Sequence, residues 1–351
     1  AGSKVVGFKG GPPGLLEGKG EELSLEDVSA YRNRSAWELL SYGTCSHGSF
    51  AAGARSKEIL RAAEVCAAEK LDSLVVIAGP RDLSWAAMLA DAFAHDKRAT
   101  TVIGVPYSKF ATVYVPKILP ITLGFDSARR MLSEIAGTIA IDSMSSRKYW
   151  HFVRCSEDVL TMEVALQTRC NFSVLKSTLA DNKDDDAMSL KDVVRKLQEM
   201  VELRRSIGHH SGMVLLSREL IQSLPEMEKL RAELVDILGP DHDGGGRTLP
   251  PSRQEVEKQL KQQDARELFK RLPRAVQNSL IRARDEKGLP LLPPGLEAER
   301  ILGRFVQQNL KAAGSSFPFA PRFHFLELMS NAPLLSPLDC ALGWVLGHTA
   351  G

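Results

Sequence analysis

The feature that most constrains this chain is a rhythm: short runs of β-branched and other apolar residues, each separated from the next by a stretch of helical periodicity. The run 74–77 follows a helix pattern over 56–71 in which Ile59, Leu60, Ala63, Val65, Cys66 and Leu71 form an apolar stripe. Residues 84–94 then read as helix and 101–106 as strand. The alternation continues with helix over 125–141, strand over 150–153, helix over 159–167 and strand over 172–175. A long helix near 189–206, opened by Ser189 as N-cap, leads to a last clear strand over 213–216. Such strands are buried on both faces and need crossover helices between them. The pattern therefore predicts an α/β fold: a mostly parallel sheet with helices on both faces and right-handed crossovers.

Polar punctuation suggests the organisation. An acidic loop over 181–186 precedes Ser189, and 239–251, with Gly244-Gly245-Gly246 and Pro250-Pro251, reads as a flexible connection. Beyond it, 253–287 carries ten Lys/Arg against six Asp/Glu on helices broken at Pro273. With 351 residues the chain has room for two domains of ordinary size. We expect a first domain over 1–146, a second over 147–315 with a helical insertion at about 247–312, and a return segment over 316–351. Both ends read as cuts from a longer chain: 5–8 is a strand running into a glycine-proline turn, and the final residues stop inside a helical pattern.

Bulk properties exclude several classes. A net charge of +2 does not call for a polyanion, and the basic stretch lacks aromatic interleaving, so no nucleic-acid partner is expected. The five cysteines have no CxxC spacing and read as reduced thiols, not a disulfide framework. No run approaches the roughly 20 apolar residues of a membrane helix. The start is neither signal nor transit peptide, so a cytoplasmic location is expected. His209 and His210 have no spacing relation to Asp241, His242 and Asp243 that would place them on one face, so they define no metal site.

A resemblance runs through the strands and their loops. GFKGGPPGLLEGKGEEL, YRNRSAWELL, LDSLVVIAGPRDLSWAAMLADAF, LGFDSARRMLSEIAGTIAIDSMSSRKYWHFVR, EVALQTRCNFSVL, LFKRLPRAVQNSLIRARD and SPLDCALGWVLG occur in order and at nearly constant spacing. These blocks are similar to the phosphofructokinase family, in its pyrophosphate-dependent long type, over nearly the whole chain, and the resemblance implies an α/β fold of two doubly wound parallel-sheet domains with added helices. The family's first glycine-rich phosphate loop would fall before position 1.

The resemblance implies what a working site would need: glycine turns that cradle phosphate, a carboxylate for Mg²⁺, a carboxylate base for the sugar hydroxyl, and cations for the transferring group. Most of these are replaced. The family's G-G-D-D-S-N-T falls on residues 78–84, so Pro80 takes the magnesium position and Arg81 reverses the charge. Asp82 is the acid left, read either as a metal ligand or as the N-cap of the next helix. The P-K-T-I-D-G-D loop falls on 106–112, where Phe110 replaces the base. A lost general base costs about 10²–10⁴-fold in rate. Lys109 in that loop reads as a phosphate contact or a solvated side chain. The P-E-G sugar turn becomes Ser217-Arg218-Glu219, and the Y-x-x-R that would hold the 6-phosphate becomes Leu328-Met329-Ser330-Asn331. Ser35-Ala36 replaces a double glycine.

The remnants of the site are then Gly10, Gly11, Gly79, Asp82, Lys109, Gly124, Asp126 and Lys148. Gly124 and Asp126 match the family's GFDTA, with a plain helix start as the other reading. Arg147, Lys148 and Arg154 lie where family members present cations to a neighbouring subunit, with a solvated or ion-paired surface role as the other reading. The expectation is a non-catalytic subunit or domain without cofactor, partnered by an active paralogue or a larger assembly. The alternatives are a divergent phosphotransferase using Mg²⁺ and acting on fructose 6-phosphate, and a sensor that binds a sugar phosphate or nucleotide without reacting.

Overall fold

The computed structural model describes residues 4–34, 37–41, 43, 57–108, 121–180, 188–239, 251–283, 290, 292, 296–314 and 318–351. Expectations resting on Ser35, Ala36, Lys109, Phe110 and the loops 181–186 and 240–250 lie outside these residues. The chain divides into two units, Ala1–Met131 with Met329–Gly351, and Leu132–Leu328. The division falls inside a helix instead of at its end near 146, and the segment 316–351 is shared between the units.

In the first unit, β1 (Val6–Phe8) and β2 (Gly20–Glu22) form an antiparallel ribbon around the short helix α1 (Pro12–Glu17). Two further short helices follow, α2 (Leu25–Ser29) and α3 (Trp37–Leu40). Ser24 and Asp27 start α2 with a reciprocal capping box. Helix α4 (Lys57–Ala68), strand β3 (Ser73–Ala78), helix α5 (Pro80–His95) and strand β4 (Thr101–Pro106) make a β-α-β unit, with β3 and β4 parallel. Helix α6 (Phe125–Ser146) carries the chain across the division, and the closing helix Pro337–Ala350 returns to this unit. Ile59, Ala63, Cys66, Leu74, Trp85, Leu89 and Phe93 form the core.

Three local expectations are corrected here. Leu60 is 47% exposed, and Ala62, one turn before Cys66, takes its place in the buried stripe of α4. Val75 and Ile77 are exposed, so the apolar run of β3 is buried on one face only. Helix α5 begins at Pro80, not at 84. Its N-cap is Gly79, and Asp82 sits in the first turn instead of capping. Proline at the first helical position loses no bond, because that N–H has no intrahelical acceptor.

The second unit is built on a four-stranded parallel sheet of order β6-β7-β5-β8, from β5 (Trp150–Arg154), β6 (Phe172–Val174), β7 (Gly212–Leu216) and β8 (Pro321–Phe325). Every residue of β5 and β7 is buried, as expected for the central strands. Between them run α7 (Asp158–Thr168), α8 (Ser177–Ala180) and α9 (Leu190–Ser206), the last started by a capping box of Ser189 and Asp192. After β7 come α10 (Pro225–Leu238), α11 (Arg253–Gln259), α12 (Gln263–Arg271), α13 (Arg274–Arg282) and α14 (Ala298–Ala312). Trp150, Phe152, Val214, Leu216, Phe269, Leu280 and Phe305 belong to one continuous core. Helix α14 lies against β5, β8 and α9.

Candidate functional site

In open α/β sheets, ligands sit beyond the carboxyl ends of the strands, and in the first unit Gly79 and Asp82 follow the carboxyl end of β3. In the first unit, Gly79 follows β3 with φ −73° and ψ 174°, and a Cβ there would meet nothing nearer than the Tyr107 carbonyl at 3.9 Å. Among the described residues, neither backbone nor space requires glycine at this position. The donor set beside it does not fit Mg²⁺. Pro80 offers no side-chain oxygen and Arg81 carries the wrong sign, while Asp82 complements the dipole of α5 from its first turn.

Gly124 opens α6 with φ +101°, and a Cβ there would lie 2.8 Å from the Tyr107 ring. The amides of this turn are already engaged. Gly124 N–H donates to Asp339 Oδ1 at 2.9 Å and Ser127 N–H to Asp339 Oδ2 at 2.8 Å, with the Ser127 hydroxyl also donating to Oδ2. A carboxylate of the chain thus holds the amides that a helix start would offer an anion. Asp126 pairs with Arg129 at 2.8 Å. Burial works against its charge, but the Ser336 hydroxyl and the Arg129 guanidinium outweigh it and hold the carboxyl below its usual range.

Gly10 and Gly11, with φ +88° and +63°, serve a turn. Gly10 N–H donates to the Leu40 carbonyl at 2.7 Å, and a Cβ on Gly11 would come within 3.1 Å of the Gly43 backbone. These glycines allow two backbones to approach, which is sufficient reason for them.

In the second unit β5, β7 and β8 end level at Arg154, Leu216 and Phe325. Arg154 is not a surface cation. Its Nε lies 2.7 Å from Glu299 Oε2 of α14, the two side chains are 6% and 4% exposed, and the guanidinium rests 4.0 Å above the Phe325 ring. Burial pushes the Glu299 carboxyl above its usual range, against the pull of Arg154. Arg218, in the replaced sugar turn, pairs with Glu327 at 2.5 Å, and Lys176 with Glu219 at 3.0 Å. The helix starts are filled too. Glu157 accepts from Val159 and Leu160 N–H at 3.0 Å each, and Asp158 from Lys176 and Ser177 N–H at 2.8 and 2.6 Å. Carboxylates of the chain thus take the backbone donors at these helix starts.

The amino ends of the same strands differ. Lys148 is exposed, and Arg322 lies 4.3 Å above the Tyr149 ring. Arg322 and Arg304 line an open pocket of about 410 Å³ with Tyr149, Gln307, Phe319 and Phe323. Lys148, Arg304 and Arg322 make no ion pair among the described residues.

The sequence reading missed Glu299, Glu327 and Asp339 as the partners that fill these positions. Glu299 left a signal: it is the one acid inside the apolar stripe of α14, among Ala298, Leu302 and Val306. A charge on a buried stripe asks for a buried partner.

Parallel β-α-β layers with helices packed on the sheets define the class, an open α/β scaffold. The phosphofructokinase family model matches residues 1–234 of the chain, which belongs to that family. The chain is 29% identical over 360 residues to the Arabidopsis thaliana pyrophosphate–fructose 6-phosphate 1-phosphotransferase subunit beta 2, all of this chain against 59% of that protein. It is 31% identical over 361 residues to the Treponema pallidum pyrophosphate–fructose 6-phosphate 1-phosphotransferase, of which it covers 60%. The chain therefore spans about three fifths of the length of these relatives. Among solved structures, phosphofructokinase from Pichia pastoris superposes over 99% of this chain and 29% of its own with a TM-score of 0.60 at 14% identity. The pyrophosphate-dependent enzyme from Nitrosospira multiformis gives 0.57 at 12% identity, over 99% of this chain and 67% of its own. The fold agrees with the expected α/β class.

Proposed function

We propose that this chain is a non-catalytic phosphofructokinase-family subunit that works beside a catalytic relative in the cytoplasm. It would lend cations from the amino ends of β5 and β8 to a sugar phosphate held by that partner. One contrast carries the reading: Arg154 and Arg218 at the carboxyl ends are matched by Glu299 and Glu327, whereas Lys148, Arg304 and Arg322 at the amino ends have no carboxylate partner among the described residues. Substituting Pro80 for a magnesium ligand and Phe110 for a base removes the chain's own chemistry. Several relatives are themselves named as alpha or beta subunits, which fits a role inside an assembly.

The test has two arms. The purified chain, given Mg-pyrophosphate or ATP with fructose 6-phosphate, should show neither turnover nor a thermal shift. When it is co-purified with a catalytic family subunit, changing Lys148→Ala and Arg322→Ala together should raise the complex's KM for fructose 6-phosphate more than it lowers kcat. Robust turnover by the chain alone, abolished by Asp82→Asn, would establish the divergent-enzyme reading instead.

A further inference from the structure

Among the described residues, strand β8 is an edge of the four-stranded sheet and pairs only with β5. Two imidazoles lie edge to edge across that pairing, their planes nearly parallel. His151 Nδ1 and His324 Nε2 are 2.9 Å apart, with ring centroids 5.1 Å apart and planes inclined by 17°. The His151 side chain is 5% exposed. Its second nitrogen, Nε2, is buried without a hydrogen bond, 3.6 Å from Asp142 Oδ2 of α6.

Contact at this distance between two ring nitrogens requires one to donate and the other to accept, so at least one imidazole must be neutral. When both are protonated, two N–H groups point at one another and the contact becomes repulsive. The charged and titratable groups facing the pair are Asp142 from α6, Arg322 from β8 and Tyr149 just before β5. Arg322 opposes a second proton, and Asp142 favours one, but its side chain is mostly solvent-exposed and its charge is screened. No other polar contact compensates the buried Nε2 nitrogen.

We propose that His151 and His324 form a proton-operated clasp between β5 and β8, closed while the pair holds at most one extra proton and released when it takes a second. Burial, the largest influence, pushes both imidazoles below their ordinary value of 6.5, and for His151 the His324 charge adds to it. The sign follows. A histidine that binds protons less readily when folded contributes stability that is fully present above the unfolded pKa. That stability is lost as pH falls below about 6.5.

The experiment is amide hydrogen exchange on the whole chain at pH 7.5 and 5.0, corrected for intrinsic rates, with carbon NMR titration of the histidine rings. Acidification should speed exchange at Arg322–Phe325 at least tenfold and leave Met213–Leu216 of the central strand β7 unchanged. His324→Gln, neutral throughout, should flatten that response. The His151 and His324 rings should take up the pair's second proton at lower pH in the folded chain than in the chain unfolded by urea. Equal acceleration in both proteins, an acid-insensitive β8, or ring midpoints equal in the folded and unfolded chain would overturn the proposal. The ring titration of the unaltered chain decides the matter even if the variant fails to fold.

Discussion

Asp339 and Ser127, 212 positions apart in sequence, meet through the Ser127 N–H and hydroxyl, both donating to a carboxylate that is 2% exposed. The same carboxylate takes the Gly124 N–H, while Ser336 N–H donates to Ser127 Oγ at 2.9 Å and Asp339 N–H to Ser336 Oγ at 3.1 Å. One buried acid thus holds the start of α6, while Ser336 caps the closing helix beside it. Asp339→Ala would leave three buried donors unmatched. Each costs about 1–3 kcal/mol when stranded, and relaxation recovers part, so a loss of about 3 kcal/mol is expected. Asp339→Asn, which keeps one acceptor, should lose about half of that. Urea denaturation with an unchanged m-value measures both.

The Arg154–Glu299 pair makes a different prediction. Removing one member of a buried ion pair strands a charge and costs about 3–5 kcal/mol, whereas replacing both by apolar residues of similar volume is often neutral. Arg154→Met and Glu299→Leu should therefore each destabilise strongly, and the double variant should be more stable than either single one. The apolar pair would also lie against Phe325, which already faces the Arg154 guanidinium. Additive losses in the double-mutant cycle would show that the two residues are not coupled.

Two glycines, Gly43 against the Gly10 turn and Gly79 at the start of α5, should respond in opposite directions. A Cβ on Gly43 would lie 2.1 Å from the Gly10 carbonyl, a clash that only backbone movement relieves. Gly43→Ala should cost about 2 kcal/mol or more, in the range of core overpacking. Gly79 is an N-cap with open space around its Cα. Serine there can accept from the first-turn amides of α5, so Gly79→Ser should stabilise by about 0.3 kcal/mol. Thermal denaturation of the two variants gives the comparison, and a destabilised Gly79→Ser would mean that this turn depends on its glycine.

The strands were legible because buried parallel strands write themselves as contiguous apolar runs, and β5 and β7 obey this at every residue. Helix starts were legible where the signal is local, as at Ser189 with Asp192 three residues on. The start of α5 was not, because Pro80 reads as a breaker unless the position before it is known to be the N-cap. Within the site, the identity of the replaced residues could be read from the resemblance, but their new partners could not. Glu327 lies 109 positions from Arg218 and Glu299 lies 145 from Arg154, and no periodicity reports contacts of that separation. Arg154 was misread as a surface cation for this reason: its charge is visible locally, and its burial depends on α14.

The cysteines give a last prediction, one that also reports on the site. Burial pushes the Cys66 and Cys170 thiols up to about 11 and the Cys155 thiol up to about 12. The thiolate is the reactive form, so at pH 8 roughly one in a thousand molecules or fewer would carry it at each position even with free access. Native protein treated with iodoacetamide at pH 8 should stay unmodified at these three positions and react at all of them in concentrated guanidinium, as read by peptide mass. Cys155 directly follows Arg154 and is fully buried. Alkylation of Cys155 at the rate of a free thiol, with Cys66 and Cys170 still protected, would mean that the carboxyl end of β5 opens to solvent. The carboxylates that fill that end would then be displaceable, and a ligand could compete with Glu299 and Glu327 for the arginines they hold.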